Sequence, residues 1–303
     1  MSGAREDEPR RSLADRPGDV AADGARPRFS VVVPALNESA CIAECLRSLA
    51  DQDFTGSWEV IVVDNNSTDR TAEIAASLGA TVVTEPRRGV CQARQRGTEV
   101  ARGEIIVSTD ADTTFSPTWL SAIDRTFAGR PGRVAVAGPC RFVAGPRWGT
   151  GYSWLLFGLV HLLYRLTGRV YYGTATNIAF RKNAWSGYDT QLTQGGDELD
   201  LLRRLRKHGS VAFDIGNPTF TSARRLDEGL VYNIVVTCLF YYLLGYWQNR
   251  LFHRQILGMA PAIRAEQRQS TSRRWPSRIA TARTPLMLII LGSLTTGLLT
   301  LWG

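Results

Sequence analysis

Phe29-Ser30-Val31-Val32-Val33-Pro34 runs directly into Ala35-Leu36-Asn37-Glu38-Ser39. The first part is a short β-branched run, the pattern of a strand buried in a parallel sheet. Asn37-Glu38-Ser39 is a helix-start cluster, and Ile42, Cys45, Leu46 and Leu49 follow at helical spacing. The same unit then repeats. Trp58-Glu59-Val60-Ile61-Val62-Val63 ends at Asp64 and meets a second cap cluster, Asn66-Ser67-Thr68-Asp69, before a helix bearing Ile74 and Leu78. Ala80-Thr81-Val82-Val83-Thr84 leads to Gly89 and a helix up to Arg102. Glu104-Ile105-Ile106-Val107-Ser108 ends at Asp110.

Strand and helix alternating at this rhythm predict βαβ units, an α/β fold with a mostly parallel sheet and helices on both faces. Ligands of such sheets bind beyond the carboxyl ends of the strands. The polar residues gather there: Asn37 and Glu38, Asp64, Arg87 and Arg88, and Asp110 with Asp112. Four successive charged strand ends define one crevice.

Outside this block the signals are sparser. Residues 1–27 are rich in Arg, Asp, Glu, Gly and Pro without an apolar stretch, and read as a disordered tail with no signal peptide. Beyond Pro139, residues 148–172 mix apolar and aromatic side chains. Asp197-Glu198-Leu199-Asp200-Leu201-Leu202-Arg203-Arg204-Leu205 reads as a helix. Residues 230–247 and 286–302 are uncharged apolar runs. The chain has 303 residues and a formal charge of +8, and only Lys182 and Lys207 of its basic residues are lysines. A basic balance suits an anionic partner: nucleic acid, a phosphate-bearing substrate or a membrane surface. Five cysteines at irregular spacing form no CxxC pair, so free thiols are expected rather than zinc or a disulfide framework. The chain lacks a Gly-x-Gly-x-x-Gly after its first strand and a Gly-Lys-Ser/Thr loop, which disfavours dinucleotide binding and Walker-type phosphoryl transfer. His161, His208 and His253 have no partner spacing for zinc or nucleophilic catalysis.

Asp110-Ala111-Asp112 is the central chemical signal. Two carboxylates two residues apart can converge on a hard cation through oxygen, and Mg²⁺ or Mn²⁺ so held keeps open positions for substrate phosphates. Asp64 can accept a hydrogen bond from a nucleobase or simply cap a turn. Arg87, Arg88 and Arg94 surround Gly89; guanidinium forks suit diphosphate oxygens, and ordinary surface charge is the plainer reading. Asp197 and Glu198 open a helix, where carboxylates complement the macrodipole. They are also placed to act as a general base.

These motifs, taken in order, resemble the family 2 glycosyltransferases of GT-A fold. The resemblance runs through Val31-Val32-Val33-Pro34-Ala35-Leu36-Asn37-Glu38, then Val62-Val63-Asp64-Asn65-Asn66-Ser67-Thr68-Asp69, then Thr109-Asp110-Ala111-Asp112. It continues through Asn177-Ile178-Ala179-Phe180-Arg181-Lys182 and Gly196-Asp197-Glu198-Leu199-Asp200-Leu201, covering roughly residues 29–210. It implies an inverting transfer, dependent on Mn²⁺ or Mg²⁺, from a UDP- or GDP-sugar. Carried over, Pro34, Glu38 and Asp64 contact the nucleoside, Arg94 is a donor-site arginine, and Asp110 and Asp112 form the metal motif with Asp112 the direct ligand. The family's Glu-Asp pair stands here reversed, which gives Glu198 the position of the base and leaves Asp197 as the alternative. Thr221-Ser222-Ala223-Arg224-Arg225 resembles a segment whose arginines contact phosphate in some members. The Gln-x-x-Arg-Trp motif of processive synthases is missing, which favours single transfers. The competing functions are a nucleotidyltransferase of related fold and a catalytically inactive membrane scaffold.

The domain expectation is a tail at 1–27, a GT-A catalytic domain at 28–226, interfacial helices and a basic linker at 227–283, and a transmembrane helix at 284–303. Residues 248–283 carry eight arginines against one acidic residue, Glu266. Positive flanks stay on the cytoplasmic side, so the catalytic domain is expected there, attached to the cell membrane. The expected partners are a nucleotide-sugar donor and a lipid or lipid-linked acceptor such as a polyprenyl phosphate or glycolipid, and no nucleic acid.

Overall fold

The β-branched runs become strands in the computed structural model, which describes residues 12–13, 26–143, 145–190, 197–224, 226 and 229. The expected segments at 230–247 and 284–303, and nearly all of the expected tail and linker, lie outside the described residues. Four residues of the expected tail, 12, 13, 26 and 27, are described: Leu13 is buried, its backbone N–H donating to the carbonyl of Leu78 at 3.1 Å.

In chain order the elements begin with β1 (Phe29–Ala35), α1 (Ile42–Ala50), β2 (Trp58–Asp64), α2 (Thr71–Ser77), β3 (Thr81–Thr84), α3 (Val90–Val100) and β4 (Ile105–Ser108). They continue with β5 (Thr113–Phe115), α4 (Trp119–Ala128), β6 (Arg133–Ala137), β7 (Cys140–Val143) and α5 (Arg147–Thr167). The last are β8 (Ile178–Arg181), α6 (Asp197–Leu205), β9 (Ser210–Phe213) and β10 (Thr219–Ser222). A seven-stranded sheet has the order β3-β2-β1-β4-β8-β6-β9. Its pairs are parallel except where β8 runs antiparallel to both β4 and β6. The expected α/β architecture is therefore present, and the single reversed strand is an addition to it.

Alternation along β1 explains why the sheet is covered on both sides. Val31 and Val33 pack with Ile42, Leu46, Leu49 and Trp119, from α1 and α4. Val32 turns the other way, to Ile61, Val63, Ala93 and the leucines of α6. Helix α3 lies unusually close. A Cβ at Gly97 would stand 2.4 Å from Val32 Cγ1 and 2.8 Å from Val63 Cγ2, so only glycine admits that approach. Pro34 sits in a central strand without offering an N–H. It is tolerated because β4 pairs β1 only as far as Val32, leaving Pro34 opposite Val63 of β2 alone.

A second, three-stranded sheet has the order β5-β10-β7. It lies just beyond Asp112 and positions residues 219–224. Helix α5 is 21 residues long and follows β7. Among the described residues, no helix is long and apolar enough to cross a membrane.

Candidate active site

The strand order reverses about β1: β2 lies on one side and β4 on the other. Chain ends leaving β1 and β4 diverge there and open a crevice. Asn37 and Glu38 leave β1 on one rim, and Thr109 to Asp112 leave β4 on the other. Asn37 and Asn66 hold left-handed backbone angles, φ 55° and 66°, which asparagine accepts more readily than most residues. They lock the loops after β1 and β2 together. The N–H of Thr68 donates to Asn37 Oδ1 at 2.7 Å, and the N–H of Asn37 donates to Ser67 Oγ at 3.0 Å. Asp64 Oδ1 accepts the N–H of Ser67 at 3.1 Å, so one oxygen of this carboxylate serves the turn.

Two arginines organise the carboxylates. Arg94, on α3 and only 4% exposed, spans the crevice floor. Its Nη2 donates to Asp110 Oδ1 at 2.8 Å and its Nη1 to Asp197 Oδ2 at 2.7 Å. Burial opposes the guanidinium's charge, but Asp110, Asp197 and Glu198 more than compensate and hold it firmly cationic. Arg224, just past β10, is the second. Its Nη2 donates to Asp112 Oδ2 at 2.6 Å and to Glu38 Oε2 at 3.1 Å. Thr221 Oγ1 donates to the other Asp112 oxygen at 3.4 Å, and the Ser222 N–H donates to the Asp112 carbonyl at 3.3 Å.

Glu38 is pushed up to about 7, chiefly by burial; Arg224 pulls the other way, and the nearby Asp112 charge adds to the rise. Its carboxylate thus stands beside Asp112 on one guanidinium, at the acidic end of the crevice. Glu198 opens α6 beside Asp197. As a residue it is half-buried, but its carboxyl is shut in, and burial followed by the Asp197 charge raises its pKa well above the ordinary carboxylate range. Asp197 itself is buried and committed to Arg94.

The structure therefore brings Asp110, Asp112, Glu38, Arg94, Asp197 and Glu198 together around two guanidinium bridges. Pro34 is within β1, and Asp64 stands at the end of the neighbouring strand. Arg87 is turned elsewhere: its Nε donates to Glu85 Oε1 at 2.9 Å. Glu38 takes a side-chain partner that sequence reasoning did not foresee, because Arg224 is 186 positions away. The Asn177 motif also proves to be a buried junction. Its Nδ2 donates to the carbonyls of Pro139 and Asn217 at 3.0 and 2.8 Å, and its Oδ1 accepts from Trp119 Nε1 at 3.1 Å.

A divalent cation fits this donor set. Asp112 already meets a cationic group, Arg224, and its oxygens and those of Asp110 two residues before it are hard ligands suited to Mg²⁺ or Mn²⁺. Among the described residues no group of three or more acidic, histidine or cysteine side chains is placed to hold a metal ion by itself.

Comparison with known proteins agrees with this geometry. The sequence profile described as glycosyl transferase family 2 matches residues 30–187. An uncharacterized glycosyltransferase of Mycobacterium tuberculosis is 34% identical over 229 residues, 72% of this chain and 96% of the relative. A PGL/p-HBAD biosynthesis glycosyltransferase of Mycobacterium bovis is 36% identical over 97 residues, 30% of this chain and 38% of the relative. Among solved structures, the mannosyltransferase PcManGT from Pyrobaculum calidifontis, in complex with GDP-Man and Mn²⁺, shares the fold with a TM-score of 0.52. The identity there is 24%, over 69% of this chain and 61% of that one. With the profile spanning the crevice-forming strands and a relative matched over nearly its whole length, the chain belongs to glycosyl transferase family 2.

Proposed function

We propose that this glycosyltransferase moves a sugar, with inversion, from a UDP- or GDP-sugar to a lipid or lipid-linked acceptor at the cell membrane. The catalytic domain faces the cytoplasm. The observation that carries the donor half is the Arg94 bridge, which holds Asp110 of the Asp-x-Asp motif and Asp197 of the α6 terminus on one buried guanidinium. A metal motif and a candidate base are thereby fixed on opposite sides of one crevice. The acceptor half rests on the apolar runs at 230–247 and 286–302 and the arginines between them. The complex of PcManGT with GDP-Man and Mn²⁺ lends the donor class and metal as an analogy of fold.

Asp112, with Asp110, would hold Mn²⁺ or Mg²⁺, which supplies neutralisation of the charge gathering on the departing nucleoside diphosphate. Glu198 takes the proton from the acceptor hydroxyl or phosphate. The acceptor oxygen forms its bond to the anomeric carbon as the bond from that carbon to the diphosphate oxygen breaks, and the electron pair leaves with the nucleoside diphosphate. One displacement inverts the centre, so no enzyme nucleophile is needed. Glu198 suits the base better than Asp197 because Asp197 is already spent on Arg94, while the raised pKa of Glu198 makes it a stronger acceptor of protons.

The test is a screen of UDP- and GDP-sugars with and without Mn²⁺, reading nucleoside diphosphate release. Metal-dependent release by the wild type, abolished in Asp112→Ala, is expected. Near wild-type turnover by Asp112→Ala without metal removes the metal role. For localisation, a cysteine placed at Gln269 should stay unreactive to a membrane-impermeant reagent added to intact cells, and labelling from outside reverses the topology.

A further inference from the structure

Helix α5 turns an apolar stripe away from the protein. Leu155, Leu159, Leu162 and Leu166 are 77, 53, 53 and 73% exposed, and Trp154 beside them is 59% exposed. At 100° per residue these four leucines fall within about 60° of one another, in a line about 16 Å long. Gly151 and Gly158 border the same line, and a Cβ at either would meet nothing within 4 Å. The opposite face is firmly seated. Ser153, Phe157 and Val160 are buried, and Phe157 stacks on Phe213 of β9 with ring centroids 6.4 Å apart. The outward leucines are therefore not part of the core. They form a second apolar face.

Charge identifies the occupant. From Arg125 to Tyr188 the chain contains no aspartate or glutamate, whereas Arg147 begins α5 and Arg165 and Arg169 stand at its far end. Arg165 and Arg169 are exposed. Arg141 of β7 lies flat over the Trp154 ring at 3.7 Å, presenting a cation and an indole side by side. An apolar stripe bordered by arginine and aromatic rings, on a stretch of chain that carries no acidic residue, fits an anionic lipid surface. A protein partner complementary to leucines alone would not require the arginines and the acid-free stretch that flank them.

We infer that α5 lies in the headgroup boundary of an anionic membrane, its leucine stripe in the acyl region. The inference deepens the acceptor half of the proposed function and rests on it for what arrives there. The first turn of α5 and the residues just before it pack against the segment bearing Arg224: a Cβ at Gly149 would lie 2.5 Å from Leu226 Cδ1, and one at Gly145 2.2 Å from the Ala223 Cβ. A lipid-linked acceptor held at α5 is thus delivered beside the residues that grip Asp112.

The test installs the photoreactive residue benzoylphenylalanine at Leu159 of the full chain, with vesicles of phosphatidylcholine and phosphatidylglycerol. Ser77, exposed on α2 across the sheet, is the control position. Lipid adducts at Leu159 and none at Ser77 are expected. Arg165→Gln with Arg169→Gln should cut the preference for phosphatidylglycerol in those adducts by about tenfold. Adducts from Leu159 to residues 230–303 of the same chain, to a second copy, or to no lipid at all overturn the inference. Leu159→Glu with Leu162→Glu should lower transfer to a vesicle-borne acceptor about tenfold through KM, with nucleotide release from donor alone unchanged. Lipid adducts at Leu159 together with transfer only to water-soluble acceptors would refute the acceptor reading and leave the α5 surface standing. Efficient vesicle-borne transfer without those adducts would do the reverse.

Discussion

Glu198 has the clearest residue-level consequence. A base must be ionised to accept a proton, so a raised pKa moves the acid limb of the pH–rate profile upward. We expect kcat to rise with pH through a midpoint above the roughly 4.3 of an ordinary glutamate. Asp197→Asn removes a charge that helps to raise Glu198, and should move that midpoint down. An unmoved midpoint would dissociate the two carboxylates. Glu198→Gln keeps the size and should cost roughly 10²–10⁴-fold in rate with donor affinity little changed; a loss confined to donor affinity reassigns the residue to binding. Arg224 is the second case. Because it neutralises Asp112 and Glu38, Arg224→Gln should tighten Mn²⁺ binding to the donor-free enzyme on the order of tenfold, read by electron paramagnetic resonance. Unchanged affinity would mean that the guanidinium does not compete with the cation. At this scale the sequence was informative where a motif is local: Asp110 with Asp112, and Asp197 with Glu198. It was weak on the partner of Glu38, since nothing in a linear pattern says which distant arginine closes on it.

Among the elements, β1, β2 and β4 were legible because each is a run of largely apolar residues buried on both faces, while β3, an edge strand with exposed threonines, was legible from Val82 and Val83. The cap clusters between them left little choice. Helix α6 was legible from its leucines. The β5-β10-β7 sheet was not: Thr113–Phe115 and Thr219–Ser222 are short and rich in threonine, and their pairing depends on one another rather than on a buried run. The reversal of β8 was hidden for a related reason, since an apolar run does not state its direction. Residues 148–172 read only as an apolar mixture because α5 has apolar side chains on two faces, which erases the amphipathic signature. The close seat of α3 is itself testable. Gly97→Ala inserts a methyl group where Val32 and Val63 already stand, and overpacking of this kind costs about 1–3 kcal/mol, measurable as a lower urea midpoint with an unchanged slope. Wild-type stability would show that α3 can shift outward freely.

For the molecule as a whole, Arg94 is a charged tie between regions far apart in the chain. It stands on α3 and reaches both the loop after β4 and α6, 103 positions away. Asp197→Asn should therefore destabilise the whole domain, by no more than the roughly 3 kcal/mol low end for buried pairs because Asp110 still holds the guanidinium. Chemical denaturation monitored by tryptophan fluorescence reads it directly, and a purely local effect at α6 would contradict that role. The second guanidinium bridge carries a different consequence, in the order of synthesis. Asp112 and Arg224 are separated by 112 positions, yet meet because β10 folds back beside β5. On the ribosome, β1 to β4 emerge long before β10, and the loop joining the pair closes late. A nascent chain paused before Thr219 can own a nearly complete large sheet while Asp112 still lacks its neutralising cation. The catalytic charge arrangement is thus withheld until the last described strand has left the exit tunnel, which makes the docking of β10 a checkpoint between folding and activity.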